Sequence, residues 1–261
     1  MNRLDNRDEE SVTQEDMTAE SRTEQEVASQ PACWRHAARL AADVAGSLPA
    51  PGERVAVAGC GTSWFMAQSY AAAREQAGHG ETDAFAASEM PAGRRYDRVL
   101  VLSRSGTTTE LALLRAHLGH DPGPAADAAE RVLAAPLPPG MLAADQFTFL
   151  GTGWTYGLAN EAALKLREAA GLWTEAYPAM EYRHGPAAVT GERSVVWLFG
   201  SPPDGLASEI AAAGGTAWIG EEDPLAELVR VQLVAVAAAR ARGLDPDRPR
   251  NLARSVILGT P

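Results

Sequence analysis

Two rhythms of apolar and polar positions alternate along this chain. Short continuous apolar runs occur at Arg54–Ala58 (RVAVA), Asp97–Ser103 (DRVLVLS), Phe147–Leu150 (FTFL), Ser194–Phe199 (SVVWLF) and Thr216–Ile219 (TAWI), each closed at its C-terminal end by Gly or Ser. Runs of this kind mark parallel strands buried on both faces. Thr82 to Ser88 reads as a weaker strand. Between them lie longer stretches rich in Ala, Leu, Arg and Glu, predicted as helices over Trp64–Gly78, Thr108–Leu118, Ala125–Ala135, Thr155–Ala170 and Pro224–Arg242. Residues 1 to about 17 are acidic and nearly free of large apolar side chains, the composition of a disordered tail. Helices at Thr18–Ser29 and Ala32–Ser47 follow, separated at Gln30-Pro31, and the second turns Trp34, Ala38, Ala41/Ala42 and Ala45 toward one face, with Trp34 in the core.

The strand-helix units repeat. VAVAGCGTSWFMAQSYAAAREQAG and FTFLGTGWTYGLANEAALKLREAAG share a strand, a Gly-x-Gly turn and a helix ending Arg-Glu-x-Ala-Gly, and RVLVLSRSGTTTELALLR matches SVVWLFGSPPDGLASEIAAAG in layout. A repeat of whole units predicts two related α/β subdomains, at 49–144 and 145–261, behind an N-terminal helical segment at 18–48 and the tail at 1–17. The front subdomain is short. Only 48 positions separate Ser103 from Gly151, and two helices use most of them. The sequence therefore predicts a front sheet of about three strands, either completed by a second subunit or left as a degenerate copy.

Chemistry concentrates at the strand ends. In Gly59-Cys60-Gly61-Thr62-Ser63, glycines, hydroxyls and a following helix start combine as a phosphate-binding turn. The third glycine of a dinucleotide fingerprint is absent because Trp64 follows Ser63, which favours a phosphomonoester over a nicotinamide cofactor. Cys60 reads as a small turn residue. A second hydroxyl-rich loop, Arg104-Ser105-Gly106-Thr107-Thr108-Thr109-Glu110, follows the second strong strand, and N-capping accounts for one of its hydroxyls but not for all. On the helix after Phe147–Leu150, Glu161, Lys165 and Glu168 stand at i, i+4 and i+7 and share a face. A solvated amphipathic face has the same spacing. The continuation Glu181-Tyr182-Arg183-His184-Gly185-Pro186, a His fixed by two helix-stopping residues, adds a candidate acid-base group.

Charge and cysteine content narrow the field. A formal net charge of −11 argues against nucleic acid or an anionic membrane as the main partner, although nine acidic residues fall in the first 26 positions. No apolar run approaches the roughly 20 residues of a membrane span and no signal segment opens the chain, so a cytoplasmic protein is expected. Two cysteines, Cys33 and Cys60, suit a reduced compartment and supply no disulfide framework. His117 and His120, in a Gly/Pro-rich stretch, read as incidental rather than as metal ligands.

ANEAALKLREAAGLWTEAYPAMEYRHGP resembles the second half of the isomerase domain of glucosamine-6-phosphate synthase and its relatives, the sugar isomerase (SIS) family, and DRPRNLARSV resembles that family's terminal segment. The resemblance implies an α/β fold of two SIS-like subdomains, parallel sheets flanked by helices in three layers. It implies Glu168 as the group that moves a proton between C1 and C2, His184 as the ring-opening group, acting across a subunit boundary in the family, and Glu161 and Lys165 as orienting or charge-compensating residues. Thr62, Ser63, Ser103, Ser105 and Thr108 are implied in phosphate binding. Arg254 stands where the synthase has a lysine; a guanidinium forms no Schiff base, which leaves it a role in binding the sugar. Without a glutaminase region or N-terminal catalytic Cys, the resemblance points to a stand-alone amino-sugar-phosphate isomerase, deaminase or deglycase with no cofactor, acting as a homodimer. A sugar-phosphate-binding protein without turnover is the alternative reading, and a nucleotide-binding α/β domain a more remote one.

Overall fold

A computed structural model describes residues 20–103 and 108–252. Its strands form two parallel sheets. The front sheet holds β1 (Val55–Gly59), β2 (Thr82–Ala86) and β3 (Arg98–Val101) in the order β2-β1-β3. The rear sheet holds β4 (Gln146–Gly151), β5 (Trp173–Pro178), β6 (Ser194–Phe199) and β7 (Thr216–Ile219) in the order β5-β4-β6-β7. Helices α1 (Arg22–Val44), α2 (Thr62–Gln76), α3 (Thr109–His117), α4 (Gly123–Ala134), α5 (Thr155–Ala170), α6 (Leu206–Ala212) and α7 (Pro224–Ala241) flank them. The front sheet thus has three strands, as its length predicts, and between β3 and β4 the described residues contain helices and no strand.

One hydrophobic core runs through both halves. Val55 and Val57 of β1, Phe147 and Phe149 of β4 and Trp197 of β6 share it with residues of α1, α2, α3, α4, α5 and α7. Each fully buried Leu or Phe in it contributes about 1.5–3 kcal/mol. The other face of the rear sheet has its own cluster, in which Leu150, Val196 and Leu198 pack with Tyr182, Leu206 and Ile210. The opposite face of the front sheet is barer. Val99 and Val101, on the edge strand β3, are 49% and 66% exposed.

Three sequence expectations are corrected. Pro31 does not divide two helices: α1 passes through it unbroken. A proline deprives the carbonyl four residues earlier of its donor. Here the buried stripe Val27, Gln30/Pro31, Trp34, Ala37 and Ala41 runs straight across that point, and its packing outweighs the lost bond. The stripe includes Ala37, not Ala38. The start of α1 is doubly capped, by a reciprocal Ser21–Glu24 box and by Asp247, whose carboxylate accepts from the backbone of Arg22 and Thr23, both at 2.8 Å. Secondly, α2 begins at Thr62, so Thr62 and Ser63 lie in its first turn and not in the loop before it. Thirdly, Trp173–Pro178 forms an edge strand that alternation did not reveal, since Glu175 interrupts it and Pro178 ends it, a combination that only an edge tolerates. The disordered tail expected at 1–17 lies outside the described residues.

The two halves meet where α5 crosses α2. A side chain at Gly157 would place its Cβ inside 3.0 Å of Ser69 Oγ, the Phe65 carbonyl oxygen and the Ser69 nitrogen, all on α2. Gly59 and Gly151, which end β1 and β4, are similarly pressed against the helices that follow them. At the crossing Asn160 Nδ2 donates to Gln68 Oε1 at 3.0 Å, and these two residues, 92 apart, occupy the same position of the internal repeat. The Gly157→Ala variant is expected to lose about 1–3 kcal/mol of stability in urea denaturation. Gly191→Ala, where no atom lies within 4 Å of the new Cβ, should stay within about 0.5 kcal/mol of wild type.

Candidate active site

The close approach of α2 and α5 brings the start of α2 against the middle of α5. Gly157 and Glu161 are one helical turn apart on α5, so the residue that touches α2 is followed by a carboxylate on the same face. Thr62, in the first turn of α2, donates its hydroxyl to Glu161 Oε1 at 3.0 Å. Lys165 Nζ lies 3.4 Å from the same oxygen and 2.9 Å from Glu168 Oε2. Side-chain exposure rises along this chain of contacts, from 1% at Glu161 through 21% at Lys165 to 28% at Glu168. The site is therefore deepest at Glu161 and opens beside Glu168.

Burial sets the protonation chemistry. Removing the Glu161 carboxylate from water pushes its pKa up to about 7, against the opposing pull of the Lys165 ammonium and the Thr62 hydroxyl. Glu161 Oε2 has no hydrogen-bond partner among the described residues. Burial draws Lys165 down, but Glu161 and Glu168 outweigh it and push the ammonium up to about 12. Near neutral pH, then, Glu161 can exchange a proton while Lys165 stays charged. The lysine acts here as a fixed positive charge rather than a nucleophilic amine.

The remaining sequence-predicted residues are placed differently. Ser63 is buried in the first turn of α2. Ser103 is exposed just beyond β3. Ser105 and Arg254 lie outside the described residues. His184 is exposed in a short 3₁₀ turn, Glu181–His184, after β5, and its ring makes no hydrogen bond or ion pair among the described residues. Its neighbours fix that turn. Buried Tyr182 shares a 2.5 Å hydrogen bond with Thr190 Oγ1, and Arg183 forks onto both Glu209 oxygens at 2.8 Å. Thr108 precedes α3 but does not cap it. Its hydroxyl accepts from Trp34 Nε1 and donates to Gln30 Oε1, each at 3.1 Å, and Gln30 Nε2 donates to Gln232 Oε1 at 2.6 Å. Sequence reasoning missed this buried chain, although Gln232, a polar residue in the apolar stripe of α7, is its trace in the sequence.

Among the described residues no group of three or more His, Cys, Asp or Glu is arranged to hold a metal ion, and no helix is long and apolar enough to cross a membrane.

No family model matches the chain. Glutamine–fructose-6-phosphate aminotransferases are similar to it in sequence. That of Neisseria meningitidis is 36% identical over 140 residues, covering 42% of this chain and 23% of the relative. That of Acidithiobacillus ferridurans is 35% identical over 144 residues, with shares of 44% and 23%. The matched part is thus less than a quarter of these relatives' length. Among solved structures, the glucosamine-6-phosphate deaminase of Thermotoga maritima superposes with a TM-score of 0.69 at 21% identity, covering 91% of this chain and all of that one. The tagatose-6-phosphate ketose/aldose isomerase of Escherichia coli gives 0.71 at 14% identity, over 94% and 98% of the two chains. The C-terminal domain of the Francisella tularensis glucosamine-fructose-6-phosphate aminotransferase gives 0.63 at 16%, over 88% and 99%. In sequence, part of the chain is thus similar to the glutamine–fructose-6-phosphate aminotransferases, and its fold is that of the phosphosugar isomerases, the SIS fold.

Proposed function

We propose that the chain binds a phosphorylated amino sugar and interconverts its aldose and ketose forms at C1/C2, releasing ammonia. The observation that carries this reading is the Thr62–Glu161–Lys165–Glu168 chain of contacts, which sets a buried titratable carboxylate and a fixed cation beside a helix start suited to an anion. The phosphate is held at the starts of α2 and α3, with Ser63 and Ser103 nearest, while the Thr62 hydroxyl is committed to Glu161. Ring opening by His184 exposes the C1 aldehyde. Glu168, at the open end of the site, takes the proton from C2 and returns it to C1, leaving an imine at C2. Addition of water and departure of ammonia complete the conversion to the ketose phosphate. Lys165 offsets the negative charge that develops on the C1 oxygen of the enolamine, and Glu161 supplies or accepts the proton that accompanies it. A second copy of the chain covers the bare edge of β3, and His184, exposed and unbonded, is available to a neighbouring subunit.

A second reading, sugar-phosphate binding without turnover, is favoured by one observation: the front sheet has three strands where the rear sheet has four. The Glu168→Gln variant separates the two. An enzyme should lose about 100-fold or more in kcat, the scale of a general acid-base group, while its affinity for glucosamine 6-phosphate, measured calorimetrically, stays within a few-fold. Release of no ammonia by the wild-type protein from any hexosamine 6-phosphate would leave the binding reading alone.

Glu161 also makes stability depend on pH. Its folded pKa of about 7 lies above the ordinary 4.5, so the unfolded chain gives up this proton first. Stability contributed by the protonated form is present in full below 4.5, declines as pH rises toward 7 and is gone above it. Denaturant midpoints taken between those limits should fall for wild type, and Glu161→Gln should flatten that part of the fall.

A further inference from the structure

We infer that Thr108 serves phosphate binding as a positioning residue, by locking the start of α3 to α1 and α7, and that its hydroxyl does not touch the phosphate. This rests on the proposal that the starts of α2 and α3 hold a sugar phosphate. A threonine hydroxyl has one proton to donate. Here that proton goes to Gln30 Oε1 at 3.1 Å, and one lone pair receives the Trp34 Nε1–H, also at 3.1 Å. A phosphate dianion offers acceptors only and needs donors, so this hydroxyl has nothing left to give it. The Gln30 amide is itself held by the 2.6 Å bond to Gln232 Oε1.

Burial points the same way. Thr108 and Trp34 are 0% exposed, Gln30 1% and Gln232 4%, so the four side chains of this chain of contacts are buried together. The Thr108 side chain does not bond to the amides of its own helix. The chain of contacts runs instead from α7 (Gln232) to α1 (Gln30 and Trp34) and ends at the residue from which α3 departs. A sequence position that looks like a phosphate ligand thus fixes where the helix start stands, and removing any member leaves a buried polar group unpaired.

The test compares glucosamine 6-phosphate with glucosamine in isothermal titration of wild type, Thr108→Val, Thr108→Ser, Gln30→Met and the Thr108→Val/Gln30→Met double variant. Thr108→Val and Gln30→Met should each weaken the phosphate ester about tenfold, the scale of one lost buried hydrogen bond, and shift glucosamine by less than about twofold. Thr108→Ser should restore wild-type affinity, and the double variant should be no weaker than the weaker single one, because the members act as a unit. If Thr108→Val does not fold, Gln232→Met, at the far end of the chain of contacts, is read in the same way. A loss in Thr108→Val with Gln30→Met unaffected would mean that the amides point the other way and the hydroxyl proton faces the phosphate, which overturns the inference alone. So would wild-type affinity in both. A wild-type protein that does not prefer the phosphate ester to glucosamine overturns the phosphate reading and the inference together.

Discussion

A missing side chain decides how closely two helices approach, and the site is built on that approach. At Gly157 the backbone of α5 lies against Phe65 and Ser69 of α2 so tightly that even a methyl group has no room. Because helical faces repeat every three to four residues, the contact commits Glu161 to the same side, next to the start of α2. Lys165 and Glu168 then extend the stripe outward. The strand-end glycines Gly59 and Gly151 complete the arrangement by letting each helix start directly above its strand. Much of the geometry of the site follows from where these three residues have no side chain.

Close packing has an electrostatic cost. A carboxylate taken out of water is destabilised unless charge and hydrogen bonds replace the lost hydration. Glu161 receives one hydroxyl and one ammonium on a single oxygen, enough to hold it near neutrality but not enough to keep it ionised as on a surface. The same carboxylates keep Lys165 charged. The pair is therefore a balanced set in which a proton can move at modest energy, the condition that acid-base chemistry at neutral pH requires.

How much of this could be read from the sequence depended on whether the deciding force was local. Helix α5 and strands β6 and β7 follow from composition and bounded apolar runs, and the three-residue acidic-basic stripe follows from helical periodicity. What failed was set by tertiary context. Pro31 reads as a helix break, yet the buried stripe across it keeps α1 continuous. The strand at Trp173–Pro178 is legible only once β4 offers it an edge. Thr108 has the residue type and position of a ligand, and only the placement of Trp34 and Gln30 shows which way its hydroxyl turns. That Glu161 is buried, whereas Glu168 seven residues later is partly exposed, depends on the partner helix and not on the stripe itself.

The bare edge of β3 has a colloidal consequence. Val99 and Val101 are exposed on β3, which pairs with β1 on one side and presents an open edge on the other, the kind of surface through which sheets associate edge to edge. Opposing this is the formal charge of −11, whose repulsion between identical molecules reaches over about 30 Å at roughly 0.01 M ionic strength and about 10 Å at roughly 0.1 M. Added salt weakens that repulsion without weakening the attraction between valines. Any association through that edge is therefore expected to strengthen with ionic strength as well as with protein concentration.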